Sequence, residues 1–154
     1  MSVPPFQAFL DEYRDDVYRF LVASVGRQEA DDCFQETFLS AMRAYPRLRR
    51  ESNLRAWVLT IAHRKALDSH RANGRRALPV ADVPDHAGDD TAATDPALWA
   101  EVRKLPGKQR AAVVLRFASD MPHDEIGRVL GCSEDAARRN LYEGLEKLRL
   151  TWDR

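Results

Sequence analysis

Apolar residues recur at three- and four-residue steps along most of this chain, and no segment shows the alternation of apolar and polar residues that is typical of a strand. Such spacing places the apolar side chains on one face of an α-helix, so the sequence predicts an all-α protein. The pattern occurs in two blocks, which are separated by a stretch that lacks it. We therefore expect two small helical domains joined by a flexible linker.

The first block, residues 1–72, predicts three amphipathic helices around one core. Gly26 is suited to end the first helix, and Pro46 stops the second because proline disfavours helical geometry in the residue before it. Asn53 is a natural N-cap for the third helix. The apolar faces are formed by Phe6, Phe9, Leu10, Tyr13, Val17, Phe20 and Leu21, then Ala30, Cys33, Phe34, Phe38, Ala41, Met42 and Tyr45, then Leu54, Trp57, Val58, Ile61, Ala62 and Ala66.

The linker, residues 73–96, is rich in Pro, Gly, Ala and Asp, a composition that favours exposed and flexible chain. The second block, residues 97–154, returns to helical spacing. Pro106 opens one helix, Gly131 closes a short one, and Ser133 is suited to N-cap the last. That last helix is predicted from about Glu134 to Leu150, with Ala137, Leu141, Leu145 and Leu148 facing inward.

The short helix HDEIGRVL, the turn GCS and the final helix together predict a helix-turn-helix unit. In that motif the N-terminal part of the second helix enters the major groove of DNA. Arg138 and Arg139 lie one turn into this helix, where a guanidinium can bind guanine or phosphate. The alternative is a helical hairpin that carries a solvated pair of arginines.

The formal net charge of the chain is zero, but the charges are unevenly distributed. Residues 46–76 carry nine basic and two acidic residues, whereas residues 77–101 carry six acidic residues and no basic one. A cluster of bases binds phosphates through charge and counterion release, so the stretch 46–76 favours nucleic acid over a merely solvated face. Tyr45 and Trp57 are the aromatics available there to stack a base, but Trp57 is predicted to lie in the core.

Several function classes are disfavoured. No apolar run reaches the roughly 18 residues of a membrane span, and the start lacks a secretory signal, so a cytoplasmic location is expected. Cys33 and Cys132 are predicted to fill apolar space, and their spacing offers neither a disulfide framework nor a metal site. The sequence therefore predicts no cofactor.

The acidic residues of the second helix could hold magnesium in a hydrolase, and the candidate set is Asp31, Asp32 and Glu36 with His63 and Asp68. Gln35 stands where a second acid would be needed, and the chain has no Gly-rich phosphate loop. Asp32, Gln35 and Glu36 instead share one face, which suits docking against a basic partner. No enzymatic activity is predicted.

Three segments resemble the extracytoplasmic-function (ECF) sigma factors of bacterial RNA polymerase. ADDCFQETFLSAMRAYPRL and NLRAWVLTIAHRKALDSHR are similar to region two of that family. LPGKQRAAVVLRFASDMPHDEIGRVLGCSEDAARRNLYEGLEKLR is similar to region four. The resemblance covers nearly the whole chain apart from the linker. It implies a subunit that binds core RNA polymerase and promoter DNA, acts on no small-molecule substrate, and has an anti-sigma factor as its usual regulator.

The resemblance also implies roles for individual residues. Region two would bind the polymerase clamp through Asp32, Gln35 and Glu36, and would open the minus-ten element. Region four would read the minus-thirty-five element through its final helix, at Ser133, Arg138 and Arg139. The minus-ten contacts would come from Arg47, Arg49, Arg50, Asn53, Arg55, Arg64 and Arg71.

The sequence departs from the family pattern at a few positions. Arg64 stands where members often carry Asn, Ala136-Ala137 replaces Thr-Val, and Glu143-Gly144 replaces Arg-Ala. An acid there repels phosphate and a glycine weakens a helix, so the upstream contact is expected to be weaker or to have an unusual sequence preference. The alternatives left open are a free-standing helix-turn-helix regulator and a sigma-like decoy that occupies polymerase without directing transcription.

Overall fold

The computed structural model of the chain describes residues 4–49, 53–76 and 95–152. Within these ranges the regular structure is helical, as predicted, and contains no strand. The helices are α1 (Phe6–Val25), α2 (Arg27–Ala44), α3 (Leu54–Arg76), α4 (Pro96–Arg103), α5 (Gly107–Phe117), α6 (His123–Leu130) and α7 (Glu134–Trp152), and a single 3₁₀ turn, Tyr45–Arg47, follows α2.

Helices α1, α2 and α3 pack against one another around a shared apolar core. Gly26 ends α1 with a φ of 85°, a conformation in which glycine has no Cβ clash. Asn53 caps α3 as predicted, since its side-chain oxygen accepts a 3.0 Å hydrogen bond from the Ala56 amide. Phe9 lies at the centre of the core, where its ring contacts those of Tyr45 and Trp57.

Helices α5, α6 and α7 form the second unit, and α4 packs beside them. Gly131 takes the left-handed conformation (φ 72°, ψ 36°) that turns the chain from α6 into α7, and Ser133 caps α7. Gly127 permits the tight turn, because a Cβ there would lie 2.8 Å from the Cys132 carbonyl oxygen. The predicted helix-turn-helix is therefore present.

The two units pack against each other, with α3 against α6 and α1 against α4 and α5. At one point the approach is close: a Cβ on Gly107 of α5 would lie 2.9 Å from Leu67 Cδ2 of α3, so the end of the Leu67 side chain would have to shift. The buried residues of both units form one continuous apolar cluster. The arrangement brings α3 into direct contact with α6 of the helix-turn-helix.

Some boundaries and faces differ from the sequence expectations. Helix α3 continues to Arg76, past residue 73 where the linker was expected to begin. Met42 and Leu145 are 50% and 38% exposed rather than core residues, because both lie at the edge of an apolar stripe whose centre is already filled. In the described ranges the helices lack the length and apolar character needed to span a membrane.

Candidate polymerase and nucleic-acid interfaces

One exposed face of α2 carries the three residues predicted to bind polymerase. Asp32, Gln35 and Glu36 are all exposed, and three- and four-residue spacing continues the same face to Leu39 and Met42. These two apolar side chains are 47% and 50% exposed. We call these five residues the α2 face. It combines acceptors for a basic partner with exposed apolar area that a partner could bury.

The basic stretch after α2 places four of the predicted DNA contacts in solvent. Arg47 and Arg49 are exposed in the segment between α2 and α3, and Arg64 and Arg71 are exposed on α3. Arg71 forms a 3.5 Å ion pair with Asp68, one turn earlier. Such an exposed pair contributes little to stability, so it leaves Arg71 able to exchange Asp68 for a phosphate. Arg50 lies outside the described residues.

Two other predicted contacts are already engaged within the protein. The side chain of Asn53 caps α3. The Nε atom of Arg55 lies 3.0 Å from Asp16 Oδ2 of α1, and its Nη2 atom donates to the Ser119 carbonyl in the turn between α5 and α6. Arg55 therefore links region two to region four in this conformation.

Tyr45 and Trp57 do not form a platform for stacking bases. Tyr45 is buried, its hydroxyl donates to the Pro4 carbonyl, and burial raises its pKa. The ring of Trp57 lies 5.7 Å from that of Phe9 and 6.2 Å from that of Tyr45. Both aromatics are part of the region-two core, as was predicted for Trp57.

The N-terminal half of α7 presents the residues predicted for upstream DNA. The Ser133 Oγ accepts a 3.0 Å hydrogen bond from the Ala136 amide, which fixes the start of the helix. Arg138 and Arg139 are exposed one turn later. Arg138 Nη2 forms a 2.7 Å ion pair with Glu134 Oε2, and this carboxylate raises the Arg138 pKa.

Tyr142 belongs to the same exposed surface and was missed by the sequence analysis. Its side chain is 64% exposed, and it lies three residues after Arg139 and four after Arg138. Residues at these separations are neighbours on a helix surface. Because Ala137 and Leu141 face inward, helical spacing places Tyr142 on the exposed side of α7, and this spacing could have identified it.

Glu143 and Gly144 lie on the side of α7 that faces α5. The Glu143 carboxylate accepts a 3.3 Å hydrogen bond from Gln109 Nε2. Gly144 is buried, and a Cβ there would lie 3.0 Å from Val113 Cγ2. The glycine thus allows α5 and α7 to pack closely. Its low helix propensity, considered alone, does not reveal this role.

Two cysteines and one histidine lie in or against the apolar core. Cys33 is buried, its pKa is raised by that burial, and Cys132 packs against the core. His63 is also buried; burial and the nearby cations Arg110, Arg64 and Lys108 lower its pKa to about 4. In the described part of the chain, no three His, Cys, Asp or Glu side chains lie close enough to hold a metal ion.

In the described ranges, one helical unit has an exposed acidic and apolar face and the other contains a helix-turn-helix, an arrangement that suits a transcription factor. Residues 9–76 match the family model of Sigma-70 region 2, and residues 96–148 match that of Sigma-70, region 4. The chain belongs to the ECF RNA polymerase sigma factors. It is a sigma factor that directs promoter-specific transcription.

Individual relatives agree with this assignment. The chain is 32% identical over 155 residues to the ECF RNA polymerase sigma factor SigD of Mycobacterium tuberculosis, a match that covers 91% of this chain and 73% of SigD. It is 27% identical over 158 residues to SigX of Bacillus subtilis, covering 94% and 81% of the two chains. The fold is also that of the sigma factor RpoE from Bartonella quintana, solved with the anti-sigma factor NepR, at a TM-score of 0.79, 22% identity and coverage of 97% and 98%.

Proposed function

We propose that this sigma factor binds the polymerase clamp through the α2 face. The observation that carries the proposal is the exposure of Asp32, Gln35 and Glu36 together with Leu39 and Met42 on one side of one helix. Exposed apolar side chains beside charged ones are typical of protein interfaces. The carboxylates would orient a basic partner, and the apolar residues would be buried by it.

Region two, proposed to span residues 1–72, opens the minus-ten element of the promoter. Its contacts to single-stranded DNA come from Arg47, Arg49, Arg64 and Arg71, supported by their exposure and by the excess of basic residues in this stretch. Arg50 is assigned the same role from the sequence alone. Asn53 contributes by capping α3, and Arg55 reaches DNA only after it releases the Ser119 carbonyl.

Region four, proposed to span residues 97–154, reads the minus-thirty-five element with α7. The surface that reads DNA is formed by Arg138, Arg139 and Tyr142. Ser133 caps the start of the same helix and so sets where these residues lie along it. Arginine binds the O6 and N7 atoms of guanine through two hydrogen bonds, so the pair can specify bases as well as bind phosphates. The segment between α3 and α4, which lies within the linker predicted over residues 73–96, would let the two regions reach elements that lie apart on DNA.

The protein acts in the cytoplasm and performs no chemistry itself, because polymerase supplies the catalytic site. Its activity is controlled by an anti-sigma factor, a proposal supported by the structural likeness to a sigma factor that was solved with one. A partner that covers the α2 face would prevent polymerase binding.

The test is to reconstitute the full chain with core RNA polymerase and measure both core binding and promoter-specific transcripts. Asp32→Asn is expected to weaken core binding about tenfold or more, since hydrogen bonds to charged groups contribute roughly 1.5–3 kcal/mol. Asp15→Asn is the control, because Asp15 is an exposed acid on α1 rather than on α2. Equal binding by the two variants would refute the α2 face.

The same reconstitution separates the alternatives. A free-standing regulator would bind a duplex operator tightly without polymerase and would not bind core. A decoy would bind core and yield no promoter-specific transcript. The sigma factor is expected to bind promoter DNA weakly alone and to direct transcripts once assembled.

A further inference from the structure

We propose that Glu134 is a positioning residue that holds Arg138 in the orientation needed to read a guanine in the upstream promoter element. The inference rests on the proposed function of region four. The Glu134 carboxylate would then contribute to base selection, although its negative charge alone would only repel DNA.

The geometry is local and specific. Glu134 is the first residue of α7, and its Oε2 atom lies 2.7 Å from Arg138 Nη2 across one helical turn. A charge-assisted hydrogen bond of this length is at the short end of the usual range. Ser133 caps the start of the helix directly beneath the pair. The cap thus holds the backbone of the first turn of α7, and the Glu134 carboxylate holds the Arg138 guanidinium.

The pair leaves Arg138 able to bind a base. A guanidinium carries five N–H donors, and the bond to Glu134 uses only one nitrogen of the three. The remaining edge can donate two hydrogen bonds to one guanine. A long side chain otherwise samples many rotamers, so an arginine held by a carboxylate loses less entropy on binding and tolerates fewer geometries. The expected consequence is higher selectivity.

Stability does not explain the pair. Both side chains are about half exposed, and ion pairs in such positions contribute little to the free energy of unfolding. The neighbouring Asp135 is exposed in the same first turn, but the described contacts of Arg138 include a hydrogen bond to Glu134 and only a longer-range charge interaction with Asp135. Asp135 therefore carries the same charge without the positioning contact, which makes it the matched control.

The experiment uses the full chain with core RNA polymerase and a promoter library that is randomised at the upstream element. Base preferences are read from the relative abundance of transcripts, and promoter affinity is measured separately. The chain should prefer guanine at one position roughly 5- to 150-fold over other bases, as a bidentate arginine does. Arg138→Ala should abolish that preference.

Glu134→Gln should reduce the guanine preference about twofold or more without lowering total promoter affinity, because it removes the charged anchor and one negative charge. Glu134→Asp should keep part of the preference. Asp135→Asn should raise affinity for all sequences to a similar degree and leave the preference unchanged. Thermal unfolding of each variant identifies any loss that arises from folding.

The outcomes separate two claims, that Arg138 reads a base and that Glu134 positions Arg138 to do so. If Glu134→Gln raises affinity for every promoter and keeps the preference, as expected of Asp135→Asn, Glu134 is only a repulsive charge and the inference is wrong. If transcription by the unaltered chain depends on no upstream base, or if Arg138→Ala leaves every preference intact, the proposed reading function of Arg138 fails, and the inference fails with it.

Discussion

The guanidinium of Arg55 in α3 is held by the carboxylate of Asp16 in α1, with 3.0 Å between Nε and Oδ2. This ion pair directs the other end of the guanidinium to the Ser119 carbonyl, which lies in the turn between α5 and α6. A residue proposed to touch the minus-ten strand therefore contacts region four in this conformation. Binding of Arg55 to DNA and this contact between the regions exclude each other.

Replacing Asp16 by Asn should loosen the contact between the two regions while leaving Arg55 in place. The charged acceptor of Arg55 is lost, at a cost of about 1 kcal/mol for these partly exposed groups, or roughly fivefold in the open population. Amide hydrogen exchange in α6 should accelerate by that factor in the polymerase-free protein. Asp15→Asn, which removes the same charge from an exposed neighbour, should leave the exchange rates unchanged. Equal rates in both variants would contradict the role of Asp16.

Substitution of Gly144 by alanine should destabilise region four, although alanine is the better helix former. The gain in helix propensity is up to about 1 kcal/mol. The added Cβ would lie 3.0 Å from Val113 Cγ2 and 3.4 Å from the Gln109 carbonyl oxygen, so the buried Val113 side chain or α5 itself must shift by a few tenths of an ångström. Such overpacking costs about 1–3 kcal/mol. Urea unfolding should show a net loss.

The double variant Gly144→Ala with Val113→Ala tests this cause. Removing the Val113 methyl groups creates space for the new Cβ, so the two substitutions should be less harmful together than the sum of their separate effects. Strict additivity would indicate that the close approach of α5 and α7 is not what limits residue 144.

Local features of this fold could be predicted from the sequence because they depend on neighbours in the chain. Asn53 and Ser133 cap the helices that follow them, and Gly131 takes the left-handed turn, as the sequence indicated. Arg138 and Arg139 are exposed on α7 for the same reason, since helical spacing alone separates them from the inward residues. Each of these features is set within one or two turns of helix.

Features that depend on packing between helices were not predictable. The sequence placed Glu143 among DNA-facing positions and gave Gly144 only a propensity cost, whereas α5 supplies the Gln109 hydrogen bond and the close contact that account for them. The family resemblance and the basic stretch predict that Arg55 contacts DNA, and nothing in its local sequence reveals Asp16 or Ser119. Met42 and Leu145 sit at the edges of their apolar stripes, where spacing does not decide between core and surface.

The stability of the folded protein should fall as the pH falls from about 6.5 to about 4, because His63 is held neutral. Its pKa in the folded state is lowered to about 4 by burial and by Arg110, Arg64 and Lys108, whereas the unfolded chain takes up the proton near pH 6.5. The unfolded state therefore binds more protons in this window, which costs the fold up to about 3 kcal/mol. The pKa of His70 is lowered too, so it acts in the same direction.

The variant His63→Gln isolates this contribution. Its free energy of unfolding, measured by urea at several pH values, should depend less steeply on pH between 6.5 and 4 than that of the unaltered chain. The slope is the readout, so a uniform loss of stability from the substitution does not affect the conclusion. Parallel pH profiles would show that His63 does not titrate with the unfolding transition.

Removal of the Tyr142 ring should weaken promoter binding by region four. The side chain is 64% exposed beside Arg138 and Arg139, where an aromatic ring can pack on a thymine methyl group and its hydroxyl can donate to a phosphate. Tyr142→Ala should lower the affinity of the polymerase complex for the promoter about fivefold or more, as expected when a contact worth about 1 kcal/mol is lost. Tyr142→Phe separates the two contacts: it should keep any base preference that the ring confers and lose only affinity shared by all sequences.

Leu150→Ala is the control, because Leu150 is comparably exposed at 61% but lies two turns further along α7, away from Arg138 and Arg139. If Tyr142→Ala and Leu150→Ala bind promoters with equal affinity, the DNA-reading surface of α7 ends at Arg139.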